Sequence, residues 1–178
     1  MWLEKFKNLI NQKKTAKFLV IEDLTRPNFK GSEFIFSKTA SEQNIDNTPN
    51  QSQLIAGMML ADKMQELHLA LSRLLKTKVK IIISSGFRSE KLNKAINGAP
   101  NSYHKRFLAC DFIIDGLSPK EGVEAIKKTK ISINNCFVER NCIHLDIEHP
   151  ASKNKNFFGS AFKDEDGNWQ VINKIKDV

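Results

Sequence analysis

The side chains of this chain that could do chemistry are few, which makes their spacing informative. It has four histidines. One of them, His104, stands in a loop-forming stretch seven residues before an aspartate, Asp111, that interrupts the apolar run Phe107-Leu108-Ala109-Cys110-Asp111-Phe112-Ile113-Ile114. A carboxylate in such a run is partly buried, and its burial is costly unless something pairs with it. A third residue, His144, lies in the middle of Cys142-Ile143-His144-Leu145-Asp146-Ile147-Glu148. Strand side chains alternate between faces, so Ile143, Leu145 and Ile147 turn to a core while Cys142, His144, Asp146 and Glu148 turn away from it. A strand that presents histidine, aspartate and glutamate on one face lines a polar site. The spacing admits two readings. One is a hydrogen-bonded His–Asp pair. The other is a metal site, because histidine, cysteine and carboxylates are the donors of zinc centres and a catalytic centre keeps one position open for water. His68, inside a helical pattern, reads as an ordinary helix-surface or core-edge histidine, and His149 as a surface residue.

The elements that must position these residues can be read from periodicity. Leu54, Met58, Ala61, Met64, Leu67, Leu71, Leu74 and Leu75 recur every three to four positions. They predict an amphipathic helix of about five to seven turns, entered through Asp46-Asn47-Thr48-Pro49. A strand runs through Val79 to Ile83 and ends at Ser84-Ser85-Gly86. A short helix from Ser89 to Ile96 follows with Ser89 as its N-cap. After the loop Asn97-Gly98-Ala99-Pro100-Asn101-Ser102 comes the strand Phe107–Ile114. Ser118-Pro119 then opens another helix, with serine as cap and proline at the first helical position. Ile133 to Glu139 and Cys142 to Glu148 form an antiparallel hairpin about Arg140-Asn141. Helices and strands do not alternate regularly, so the class is α+β with a small, mainly antiparallel sheet flanked by helices. Residues 1–28 read as an N-terminal extension and 29–150 as the main domain. Residues 151–178 read as a tail that packs on it, in which Phe157-Phe158-Gly159 and Trp169 can add an edge strand.

The bulk composition narrows the class. A chain of 178 residues, 40% hydrophobic and 27% charged, suits one soluble domain. No run approaches the roughly 18 to 20 apolar residues needed to span a bilayer, so membrane insertion is not expected. The N-terminus lacks a continuous apolar stretch and a small-residue cleavage site, and is not read as a signal peptide. Three cysteines, Cys110, Cys136 and Cys142, have no disulfide-framework spacing and fit synthesis in a reducing compartment. The net charge of +8 favours an acidic partner. The lysines are scattered and no basic cluster is interleaved with aromatics, so nucleic acid is not expected.

Three ordered motifs carry a resemblance. Ser84-Ser85-Gly86-Phe87-Arg88-Ser89-Glu90-Lys91-Leu92-Asn93, then Asn97 to His104, then Ala109-Cys110-Asp111, followed by the apolar-flanked His144, resemble the M15 family of zinc peptidases. Its pattern is S-G-[YF]-R-S-x-x-x-N, then [NS]-S-x-H-x-x-x-x-x-x-D, then a histidine within an apolar strand. Upstream, Ser32-Glu33-Phe34, Ser37 to Ala40 and Ile45 to Pro49 resemble the lead-in of the family's small subgroup common in phages and prophages. The resemblance covers about Phe29 to His149. It implies the fold shared by D-Ala-D-Ala carboxypeptidases and the hedgehog signalling domain, and a zinc-dependent enzyme that hydrolyses peptidoglycan stem peptides, as carboxypeptidase or endopeptidase. By position, His104, Asp111 and His144 would hold one Zn2+ per chain. Arg88 would bind substrate and steady the polarised carbonyl, and Ser102 would contact substrate. Many members carry an acidic residue three before the third ligand; here that position is Asn141, which cannot accept a proton. Glu139, at the end of the preceding strand, is the preferred general base, and Asp146 its rival, whose other role would be to orient a ligand histidine.

The expected working form is a monomer made in the cytoplasm and acting at the bacterial cell wall, possible for a phage- or prophage-encoded enzyme. The alternative of a different class is a non-catalytic zinc-containing module on the same fold, binding cell wall or building a virion.

Overall fold

The structure, a computed structural model, describes residues 18–147, 156–165 and 167–176. Among these, six strands form one sheet: β1 (Ile81–Ser85), β2 (Ala109–Ile114), β3 (Asn135–Glu139), β4 (Cys142–Asp146), β5 (Phe157–Lys163) and β6 (Trp169–Ile172), in the order β1-β2-β4-β3-β5-β6. Every neighbouring pair is antiparallel except β3 with β5. Four helices accompany them: α1 (Lys38–Glu42), α2 (Gln51–Leu75), α3 (Glu90–Ala95) and α4 (Pro119–Thr129). The class is α+β with a mostly antiparallel sheet, as the sequence pattern predicts.

The local signals act where they stand. Asn50, Ser89 and Ser118 each accept a hydrogen bond from the backbone N–H three residues on and so cap α2, α3 and α4, satisfying donors that the helix itself leaves open. The core-facing stripe of α2, with Leu60, Ala61, Met64, Leu67 and Leu71 fully buried, packs on one face of the sheet together with Val123 and Ile126 of α4. That face supplies Cys110, Phe112 and Ile114 from β2, Cys136 and Val138 from β3, and Ile143 and Leu145 from β4. Each leucine, isoleucine, valine, phenylalanine or methionine among them contributes roughly 1.5 to 3 kcal/mol by leaving water. The opposite face carries Asp111, Glu139, His144 and Asp146 together with Phe137, and the site lies there.

The chain before residue 29 also enters this core. A 3-10 turn, Ile21–Leu24, carries the fully buried Leu24, and Arg26 pairs with Asp62 of α2 at 2.6 Å. At the other end, β5 pairs with β3 in register from Asn135↔Phe157 to Glu139↔Ala161, and β6 forms the outer edge beyond it. The sequence's strand to Glu148 extends past the described residues, so Glu148 and His149 lie outside them.

Candidate metal centre

Three elements deliver the cluster. A 3-10 turn, Tyr103–Arg106, holds His104, and Phe107 in the left-handed region (φ 59°) swings the chain from this turn into β2. Asp111 of β2 and His144 of β4 are direct cross-strand partners. Their side chains share the open face of the sheet because their neighbours Cys110, Phe112, Ile143 and Leu145 take the core face.

The three side chains converge. His144 Nδ1 is 2.8 Å from Asp111 Oδ1, His104 Nε2 is 3.2 Å from the same oxygen, and the two ring nitrogens are 3.3 Å apart. His104 and Asp111 are almost wholly buried, at 2% and 6% exposed. These three residues could hold a metal ion.

The outward nitrogens decide which lone pairs face inward. His104 Nδ1 lies 2.6 Å from the Gly86 carbonyl. A carbonyl only accepts, so Nδ1 carries the hydrogen and Nε2 offers its lone pair to the cluster. Gly86 itself has no room for a side chain, since a Cβ there would meet the Phe34 carbonyl oxygen at 2.1 Å. That close approach lets the loop bring its carbonyl under the imidazole. On the other histidine, Nε2 faces Asp146 Oδ2 at 3.4 Å, while Phe137 stacks on the ring with centroids 5.9 Å apart and planes 15° apart.

Arg88 reaches the cluster from behind. Its Nη2 donates to Asp111 Oδ2 and its Nε to Ser85 Oγ at 2.9 Å, which leaves Asp111 Oδ1 turned to the histidines. Ser85 can do this because β1 bulges between Ile83 and Ser85, so that Ser85, not Ser84, opposes Asp111. Bulges of this kind re-aim side chains next to sites.

Of the other residues singled out by sequence, Glu139 stands at the end of β3 with its Oε2 3.9 Å from His144 Nδ1 and its side chain 22% exposed. The hairpin turn, with Arg140 in the left-handed region, brings it there. Asp146 lies on the other side of the same ring, 2% exposed. It accepts from Asn134 Nδ2 at 2.7 Å and from Asn135 Nδ2 at 3.1 and 3.0 Å. The Ser102 hydroxyl accepts from the His104 backbone N–H at 3.3 Å and so caps the turn that carries His104. Sequence reasoning did not single out Asn134 or Asn135, and it took Gly86 only as part of a motif, without a role for its carbonyl. Two asparagines at a strand's entrance are too common to signal a site.

The electrostatics follow the packing. Burial would raise the Asp111 carboxyl, but the charges and hydrogen bonds of His104 and His144 override it and hold it well below the usual carboxylate range. Burial lowers His104. Burial also acts to lower His144, yet its hydrogen bonds to Asp111 and Asp146 and their charges push it up to about 10. A proton on His144 Nδ1 and a cation would therefore compete for one place. Burial, and after it the charge of Asp111, raises Glu139.

Compared with known families, residues 27–146 match the model of the family described as Peptidase M15, about two thirds of the 178-residue chain. The match contains all three converging residues. Comparison with curated proteins gives no match.

Proposed function

Because the chain belongs to the Peptidase M15 family and is a peptidase, we propose that it is a zinc-dependent enzyme that hydrolyses peptide bonds in peptidoglycan stem peptides. The observation that carries the metal is the convergence of His104, Asp111 and His144. Zinc binds nitrogen and carboxylate oxygen at about 2.0 to 2.2 Å in a tetrahedron, whose donors then sit about 3.3 Å apart. The three donor separations are 2.8, 3.2 and 3.3 Å. Two imidazoles and one carboxylate leave a fourth position, and none of the three cysteines joins the group.

When bound, zinc would lower the pKa of a water toward about 7 and polarise the scissile carbonyl. The chain's own residues do the rest. Asp111 offers Oδ1 because Arg88 occupies Oδ2. Glu139 takes the general-base role: no described residue donates a hydrogen bond to its carboxylate, which stands open beside His144 Nδ1, on the side of the converging donors. Its task is to accept a proton from the attacking water and return it to the leaving amine. The geometry speaks for Glu139 over its rival Asp146, whose two oxygens accept from Asn134 and Asn135 and which faces the far nitrogen of His144. Arg88 would use its remaining guanidinium N–H groups to bind a substrate carboxylate or a developing oxyanion, and Ser102, two residues before His104, would contact substrate. The charge of +8 suits a cell wall that bears carboxylates and anionic polymers.

The test is digestion of purified peptidoglycan with and without a chelator, with products identified by mass. Release of stem-peptide fragments that stops with the chelator and returns with added zinc is expected. Intact wall in every arm would support the non-catalytic module instead.

A further inference from the structure

Asp146 is buried, pairs with no lysine or arginine among the described residues, and is held by two adjacent amides. In a regular strand, neighbouring side chains point to opposite faces. Asn135 opens β3 opposite Asp146, whereas Asn134 sits one residue earlier, at a bend. The bend breaks the alternation and lets both amides reach one carboxylate. The backbone fixes the same point, with the Asn134 N–H donating to the Asp146 carbonyl at 3.0 Å. Amide nitrogens only donate, so Oδ1 is an acceptor twice and Oδ2 once. The lone pairs that remain on Oδ2 face His144 Nε2.

We propose that Asn134 and Asn135 are positioning residues for the metal centre. They clamp Asp146 so that it receives the Nε2 hydrogen of His144 and commits Nδ1, once its proton is displaced, to serve as a ligand beside His104 and Asp111. The inference rests on the zinc-peptidase reading and deepens it. The choice of amides has a physical reason. An arginine or lysine would hold the carboxylate equally well but would neutralise it. Two neutral donors fix its place and leave its negative charge acting on His144, which strengthens that imidazole as a ligand. A role confined to joining β3 to β4 would need only the backbone bonds already present.

The clamp is tested by zinc affinity, measured by competition with a chromophoric chelator, in Asn134→Ala, Asn135→Ala and the double variant, and again in an Asp146→Asn background. Circular dichroism checks folding in each. The double variant is expected to fold and to bind zinc ten- to a hundredfold more weakly, the range found when outer partners of a ligand histidine are removed. In Asp146→Asn the same pair should add less than threefold, because the clamp then has no charge to hold. Should the alanine variants fail to fold, Asn135→Ser, which shortens the donor while keeping the strand, is expected to show at least a threefold loss. Parent affinity in the folded variants, or the full loss reappearing in the Asp146→Asn background, overturns the clamp and leaves the zinc reading standing. A parent chain that binds no zinc overturns the reading itself and the clamp with it.

Discussion

His68 and His104 are both buried, and each points one ring nitrogen at a backbone carbonyl, His68 Nε2 at Val79 (3.0 Å) and His104 Nδ1 at Gly86 (2.6 Å). The difference lies in what the second nitrogen meets. For His104 it meets Asp111 and His144. For His68, Nδ1 has no hydrogen-bond partner among the described residues, and the ring lies edge-on to Phe29. His68 thus ties α2 to the chain entering β1 and belongs to the core. His104 is held by the same device, but the tie serves to aim a lone pair. A buried histidine becomes a candidate ligand only where its second nitrogen converges with other donors.

That contrast can be broken or sharpened by substitution. The largest expected effect is on turnover. Glu139→Gln keeps the shape and removes the proton acceptor, and should keep zinc while lowering kcat by about 10² to 10⁴-fold. Asp146→Asn should act less on kcat, by less than about tenfold, and chiefly weaken the metal. The reverse ranking, read by steady-state kinetics on a stem peptide, would move the base to Asp146.

Next in size comes Arg88→Lys. Lysine is a point charge that cannot span Ser85, Asp111 and a substrate oxygen together, so a loss of about ten- to a hundredfold in kcat/KM is expected with the fold retained. Unchanged kinetics would reduce Arg88 to a structural partner of Asp111.

The effect of pH is graded and has a defined sign. His144 is raised to about 10, so below that value its Nδ1 carries a proton that a cation must displace. Zinc affinity should therefore rise with pH and weaken as pH falls, by up to about tenfold per unit for one proton released. Chelator competition at pH 6, 7 and 8 (about one unit apart) reads this directly, and a flat profile would contradict it.

The smallest effect falls on the core histidine. His68→Leu removes the bond to Val79 and leaves that carbonyl without its partner, for a loss of about 1 to 3 kcal/mol in unfolding free energy. Zinc affinity and turnover should not move.

Much of this was legible in the sequence. The apolar stripe of α2, the serine caps and the alternation of β4 are local signals, and local signals survive without the fold. The same alternation put His144 and Asp146 on one face, and the family resemblance joined His104 and Asp111 to His144. The rest depends on contacts distant along the chain. The parallel pairing of β5 with β3 joins segments that are distant in the sequence and leaves no local trace. The hold of Arg88 on Asp111 spans 23 residues and depends on a bulge. The amides of Asn134 and Asn135 meet Asp146 only because a bend cancels the alternation that sequence reading assumes. His68 read equally as surface or core edge, because α2 has neighbours on more than one side, and packing alone decided that it is 5% exposed.

Elemental analysis of the protein purified without added metal tests the central claim most directly, with the parent, His104→Ala, His144→Ala and His68→Leu side by side. About one zinc per chain is expected in the parent and in His68→Leu, and almost none in the other two. Zinc retained in both His104→Ala and His144→Ala, or lost in His68→Leu while that variant stays folded, would contradict the account.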